Sequence, residues 1–84
     1  MAIPRVVLLT KANCHLCEDA RDAVARVTAS LGLEWTEELV DEQPELRERY
    51  AEEIPVVLVD GVQRDFWKIN EAHLERVLQR AMAQ

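Results

Sequence analysis

The two cysteines of the chain, Cys14 and Cys17, are three residues apart at a predicted junction between a strand and a helix. The apolar run Val6-Val7-Leu8-Leu9 precedes them, and a helix-like pattern begins near Leu16. A helix N-terminus stabilises a thiolate, because its free N–H groups and its dipole favour negative charge. A second thiol one helical turn away can resolve the mixed disulfide that the first one forms. The pattern therefore predicts reversible dithiol–disulfide chemistry, with Cys14 as the nucleophile and Cys17 as the resolving thiol.

The first half of the chain predicts a strand, a helix and a second strand. Arg5 to Thr10 is rich in apolar residues, as expected of a buried strand. Asn13 is predicted to cap the helix that follows, and Gly32 is predicted to end it. Apolar residues recur at helical spacing between those two positions; they are Leu16, Ala20, Ala23, Val24, Val27 and Leu31. The alternating pattern of Leu33 to Leu39 predicts the second strand.

The second half predicts a short helix, a hairpin and a final helix. Proline is favoured at the first position of a helix, so we expect the short helix to begin at Pro44. Asp60-Gly61 is a strong hairpin signal. It joins two predicted strands, Val56–Val59 and Val62–Phe66. Asn70 is predicted to cap the last helix, whose buried stripe is Leu74, Val77, Leu78 and Ala81. The 84 residues predict a single α/β domain, 1–84, with a mixed sheet whose first two strands are parallel.

Charge and composition exclude several kinds of partner. The net charge of −6 argues against nucleic-acid binding, and no segment has the pattern of a signal sequence or a membrane span. We therefore expect a cytoplasmic protein, monomeric and without a nucleic-acid or membrane partner. In a reducing compartment a close cysteine pair is more often catalytic or metal-binding than structural. A zinc site needs about four ligands, and His15 lies between the two cysteines with no second pair elsewhere, so no metal is predicted.

Several short motifs give the chain a family resemblance. Lys11, the sequence Cys14-His15-Leu16-Cys17, Ile54-Pro55 and Asp60-Gly61 occur in the order typical of the thioredoxin fold. The chain resembles the glutaredoxin branch, and most of all the small bacterial glutaredoxin-like proteins with a Cys-His-Leu-Cys motif. This resemblance implies a thioredoxin-like fold of order β-α-β-α-β-β-α, with a four-stranded mixed sheet flanked by three helices.

The resemblance also implies roles for Ile54 and Pro55. Pro55 is expected to follow a cis peptide bond and to pack beside Cys14, while the backbone of Ile54 pairs with an extended substrate. Lys11 and His15 are expected to bind substrate or stabilise a thiolate. As isolated residues, both are equally well explained as ordinary solvated side chains.

The expected function is glutaredoxin-like thiol–disulfide exchange, with protein or small-molecule disulfides as substrates and no bound cofactor. Glutaredoxins that bind glutathione usually carry a Gly-Gly pair after the fourth strand, but the stretch from Arg64 to Asn70 contains no glycine. The sequence therefore leaves open whether glutathione or a dedicated reductase restores the dithiol. The alternative function is a non-catalytic thioredoxin-fold module that binds partners or senses oxidation.

Overall fold

The computed structural model describes residues 2–84 and contains four strands and three α-helices within that range. The strands are β1 Val6–Thr10, β2 Thr36–Leu39, β3 Val56–Val59 and β4 Val62–Phe66. The helices are α1 His15–Ser30, α2 Pro44–Tyr50 and α3 Glu71–Met82. A 3-10 turn, Val40–Glu42, connects β2 to α2. The element order is the one that the sequence predicts, apart from this turn.

The strands form one mixed sheet in the order β2-β1-β3-β4. β1 pairs parallel to β2 and antiparallel to β3, and β4 returns antiparallel to β3. All five residues of the central strand β1 are buried. Its continuous apolar sequence follows from having protein on both faces of the sheet.

The two faces of the sheet carry separate apolar clusters. Successive strand residues point to opposite faces, so Val6 and Leu8 pack with α1 and α3, while Val7 and Leu9 pack on the other face. Tyr50, at the end of α2, belongs to this second cluster together with Cys17. The cysteine pair is thus supported by the core on the α2 side.

The start of α1 differs from the prediction. Cys14, and not Asn13, is the N-cap: its Sγ accepts the backbone N–H of Cys17. Asn13 adopts a left-handed φ of 56° in the turn before the helix. Leu16 was expected in the buried stripe but is 37% exposed, and Cys17 is buried in its place. Ala20, Ala23, Val24 and Val27 are buried as predicted, so the difference is confined to the first turn of the helix.

The second strand is shorter than predicted. It begins at Thr36 and not at Leu33, and Leu39 is 51% exposed at its end. Leu33 and Trp35 still pack against the core, although they precede the strand. The alternation therefore predicted the packing of Leu33 and Trp35 correctly, but not the exposure of Leu39 or the extent of strand pairing, since only residues 36–39 lie opposite β1. β1 likewise begins at Val6, one residue later than predicted.

The remaining boundaries confirm the prediction. Pro44 begins α2, Gly32 follows α1 with a φ of +70°, and the Asn70 side chain accepts the N–H of His73 as the cap of α3. Among residues 2–84, no helix is long and apolar enough to span a bilayer.

Candidate redox site

Cys14 and Cys17 form a disulfide at the N-terminus of α1, with their Cα atoms 5.2 Å apart. Cys14 has extended backbone angles (φ −115°, ψ 109°) as the helix cap, while Cys17 lies inside the first turn. Cys17 is completely buried, whereas Cys14 is partly exposed. Only Cys14 can therefore be reached from solvent.

The turn before Cys14 is held by a hydrogen bond from its backbone to a side chain outside the helix. The N–H of Ala12 donates to Oδ2 of Asp41 at 2.9 Å. Asp41 lies in the 3-10 turn that follows β2. The residue after Ala12, Asn13, tolerates the left-handed conformation that the turn requires better than most residues do.

A charged network braces the same end of the sheet. Oε2 of Glu37 accepts a hydrogen bond from the Thr10 hydroxyl at 2.7 Å, and its carboxylate pairs with Arg21 of α1 at 2.7 Å. The hydrogen bond from Arg21 holds the pKa of Glu37 below its ordinary value, and Glu37 raises the pKa of Arg21 in return. The network joins β1, β2 and α1 next to the disulfide.

Lys11 and His15 share a shallow groove with Cys14. The groove has a volume of about 400 Å³, and Glu18, Arg21 and Leu39 also line it. Lys11 and His15 are both exposed. The structure therefore brings these two sequence-predicted residues together with the reachable sulfur, on the open side of the helix N-terminus.

Ile54 and Pro55 lie immediately before β3 and are buried. Their peptide bond is cis, as the resemblance implied. Ile54 belongs to the cluster that contains Cys17, and Cys14 packs against this cluster at its margin. Within residues 2–84 the backbone N–H and C=O of Ile54 make no backbone hydrogen bond.

Phe66 and Trp67 occupy the segment that lacks the glycine pair. They are 44% and 54% exposed and make an edge-to-face ring contact with centroids 5.9 Å apart. The backbone N–H of Trp67 donates to the Pro55 carbonyl oxygen at 2.9 Å, and its indole N–H donates to the Glu52 carbonyl oxygen at 2.7 Å. An indole ring therefore stands next to the loop that leads into Pro55.

Sequence reasoning missed the residues that support the site. Asp41, Glu37 and Thr10 act through contacts between elements far apart in the chain, and their own sequence neighbourhoods give no sign of it. Asp41 and Glu37 are ordinary members of an acid-rich stretch. Pairing β1 with β2 in the observed register was the one signal that could have brought Thr10 and Glu37 together. For metal binding, residues 2–84 bring no three His, Cys, Asp or Glu side chains close enough to share an ion.

Sequence comparison finds relatives over nearly the full chain. Residues 5–79 match the model of the glutaredoxin-like domain family (DUF836). An uncharacterized protein of Mycobacterium tuberculosis is 31% identical over 86 residues, covering 96% of this chain and 89% of its own length. The same values hold for an uncharacterized protein of Mycobacterium bovis.

Structural comparison finds the same fold. A crystal structure of a protein from X. campestris has a TM-score of 0.76 at 24% identity, covering 90% of this chain and 97% of that one. Thioredoxin of Fasciola hepatica has a TM-score of 0.68 at 21% identity, with coverage of 94% and 81%. The thioredoxin-like fold predicted from the sequence is thereby confirmed. With a Cys-x-x-Cys disulfide at the first strand–helix junction, this chain belongs to the glutaredoxin-like domain family (DUF836).

Proposed function

We propose that the protein is a thiol–disulfide oxidoreductase that works through Cys14 and Cys17. In the dithiol form, the Cys14 thiolate attacks a substrate disulfide, forms a mixed disulfide and expels one substrate thiolate, which takes up a proton. Cys17 then gives up its proton and attacks Cys14 Sγ. The second substrate thiol leaves, the Cys14–Cys17 disulfide forms, and two electrons have passed to the substrate.

The observation that carries this proposal is the difference in access between the two sulfurs. Cys14 is partly exposed at the helix N-terminus and Cys17 is fully buried one turn away, within disulfide distance. An incoming disulfide thus meets Cys14 alone, while the intramolecular attack needs no movement of the chain beyond breaking one S–S bond. A structural disulfide would not require this asymmetry, and closing so short a loop stabilises a fold little.

The surroundings of Cys14 support roles for four other residues. Lys11 and His15 line the groove beside the reachable sulfur, where we assign them to substrate binding. The unpaired backbone of Ile54, next to the cis bond at Pro55, is assigned to hold an extended substrate by backbone hydrogen bonds. The substrates are protein or small-molecule disulfides, and the cytoplasm is the proposed compartment.

Glutathione and a dedicated reductase remain the two candidate reductants. Phe66 and Trp67 are exposed in the stretch that lacks the glycine pair expected of glutathione-binding glutaredoxins. This arrangement favours a reductase, since a protein surface can pack against exposed aromatic rings.

The test is exchange with a chromogenic aromatic disulfide, followed by intact mass. We expect Cys14→Ser to abolish exchange and Cys17→Ser to accumulate a mixed disulfide on Cys14. Cys17→Ala serves as a matched variant, because it removes the sulfur without burying a hydroxyl. It should trap the same adduct, which separates loss of the resolving thiol from a packing defect.

The opposite result would support the non-catalytic alternative. If the wild-type dithiol reduces neither the aromatic disulfide nor glutathione disulfide above the rate of free dithiothreitol, the enzymatic proposal is wrong. A redox titration against glutathione with mass detection also gives the reduction potential and shows whether a glutathione adduct forms.

A further inference from the structure

A second groove lies between β4 and α3, away from the cysteine pair. Its volume is about 340 Å³. Val59 and Val62 line one end of it, and they pair with each other at the hairpin. Val59 also lies opposite Val6, at the start of β1, whereas Cys14 follows the other end of that strand. A molecule in this groove would therefore leave the disulfide open to solvent.

The groove is basic although the chain is acidic overall. Arg64 of β4 and Arg76 and Arg80 of α3 all line it, and all three are exposed. The ion pairs found within residues 2–84 use Arg21 and Arg26, so none of these three guanidinium groups has a carboxylate partner there. Asp60 is the one acidic residue in the lining, and its Oδ1 accepts the backbone N–H of Arg5.

Apolar side chains lie between the charges. Val62, 50% exposed, lines the groove together with Arg64, which lies at an irregularity in the pairing of β4 with β3. Val77 and Ala81 follow Arg76 and Arg80 by one position each and line the same groove. The surface thus combines three cations with apolar side chains.

The positions of the charges suit an extended chain. Arg76 and Arg80 are four residues apart on a helix, so their Cα atoms are separated by about 6 Å along its axis. Alternate residues of an extended strand are about 7 Å apart and point to the same side. A peptide with acidic residues at every second position can place successive carboxylates near both arginines, with a third carboxylate at Arg64.

The backbone at this edge is engaged at two points, since the Arg64 carbonyl oxygen lies 3.1 Å from His73 Nε2 and the Phe66 N–H donates to Asp65 Oδ1. β4 is the last strand of the sheet, with β3 as its one neighbour. An edge strand offers a row of N–H and C=O groups to an added strand. A basic side chain on the edge opposes pairing with a basic or neutral strand but favours an acidic one.

We propose that this groove binds an extended segment of a partner protein with acidic residues at alternate positions. The segment lies along β4, and its carboxylates pair with Arg64, Arg76 and Arg80. Binding in this groove does not depend on cysteine chemistry. The proposal therefore applies whether the protein is an enzyme or a binding module.

The probe is a fluorescein-labelled eight-residue peptide of alternating glutamate and valine, titrated by anisotropy at low salt. We compare wild type with Arg76→Gln/Arg80→Gln. The matched control is Arg47→Gln/Lys68→Gln, which makes the same change in net charge with two exposed residues outside the groove. The groove variant should bind about three- to tenfold more weakly, the size expected for the loss of two partly exposed ion pairs, and the control should bind like wild type.

Amide chemical shifts locate the bound peptide. We expect the changes to cluster in β4 and α3 and to leave residues 11–17 unmoved. A peptide with glutamine in place of glutamate should bind at least several-fold more weakly. The proposal is overturned if wild type does not bind the acidic peptide at millimolar concentration, or if both double variants lose affinity equally.

Two further outcomes would also overturn it. Inorganic pyrophosphate that binds the groove more tightly than the peptide would indicate a small-anion site. Concentration-dependent association of wild type in sedimentation, abolished by Arg76→Gln/Arg80→Gln, would show that the acidic surface of a second copy fills the groove. Because binding alone is measured, failure here leaves the proposed disulfide exchange untouched.

Discussion

Trp67 shows how a single residue can define the edge of a site. Its φ of 61° is left-handed, a conformation that costs a side-chain-bearing residue about 1–2 kcal/mol. Its backbone and indole N–H groups donate to the carbonyl oxygens of Pro55 and Glu52, and these two bonds offset part of that cost. The sequence indicates only that glycine is absent here; the left-handed backbone and both partners come from the structure.

Replacing Trp67 by glycine should open the surface next to Pro55. Glycine adopts a positive φ without strain, so the backbone turn is expected to persist while the ring is lost. On the proposed function, exchange with glutathione disulfide should accelerate several-fold relative to exchange with a longer peptide disulfide. The measurement is the ratio of the two second-order rate constants.

Trp67→Phe is the matched control for that experiment. It keeps an aromatic ring but loses the hydrogen bond to Glu52, so it should lower the free energy of unfolding by about 1 kcal/mol and leave the rate ratio near that of wild type. An equal change of the ratio in both variants would mean that ring bulk is not what limits glutathione.

Caps and turns decide where the elements begin, and they could largely be predicted from sequence. Pro44 at the first position of α2 and Asn70 before α3 occur where their side-chain chemistry is favoured. The predicted cap of α1 was wrong because two potential capping residues are adjacent. Asn13 adopts a left-handed turn, so Cys14 caps the helix. Local sequence does not decide between adjacent caps; the path of the chain from β1 does.

Asn70→Ala should destabilise the protein by about 1 kcal/mol, because the His73 N–H loses its acceptor. Asn70→Asp keeps an oxygen in the same place and should restore most of the stability. Urea unfolding of the three proteins gives the comparison. If Asn70→Ala and Asn70→Asp have the same free energy of unfolding, the side-chain cap contributes nothing measurable to the stability of α3.

The ion pair between Glu37 and Arg21 makes the stability of the fold depend on pH in a predictable direction. The hydrogen bond from Arg21 lowers the pKa of Glu37 below its ordinary value of 4.5 in the folded state, so the folded protein binds fewer protons at this site than the unfolded chain does. Its contribution to stability is therefore present above pH 4.5 and is lost as pH falls through the lower folded value.

Glu37→Gln should lower the free energy of unfolding by less than about 1 kcal/mol near neutral pH, since the pair is partly exposed. The difference from wild type should shrink as the pH is lowered through the acid range. Glu48→Gln, an exposed change on α2, is the control and should show no such convergence. A constant difference at all pH values would contradict the role of the Glu37 charge.

At the scale of the whole molecule, stability depends on the central strand. Leu8 is completely buried on β1 and packs with α1 and α3, whereas Leu39 at the end of β2 is half-exposed. Leu8→Ala should cost about 2–5 kcal/mol, and Leu39→Ala should cost far less. The urea midpoints of Leu8→Ala and Leu39→Ala test this prediction. Similar losses of stability in both variants would show that the core is not centred on β1.

Charge is also organised at this scale. The stretch 31–53 holds more than half of the acidic side chains and includes β2 and α2, while Arg64, Arg76 and Arg80 gather between β4 and α3. The overall charge of −6 hides this division. His73 also lines the groove between β4 and α3 and is half-buried, with Nε2 3.1 Å from the Arg64 carbonyl oxygen.

The element order, the helix and hairpin signals, and the pairing of Cys14 with Cys17 could be predicted from sequence, because they depend on residues close together in the chain. Features that depend on contacts between distant segments were set only by folding. Folding set which sulfur is buried, the brace formed by Thr10, Arg21 and Glu37, and the place of Trp67 beside the Pro55 loop. It also gathered three arginines into one groove, since only folding β4 against α3 brings Arg64 to Arg76 and Arg80.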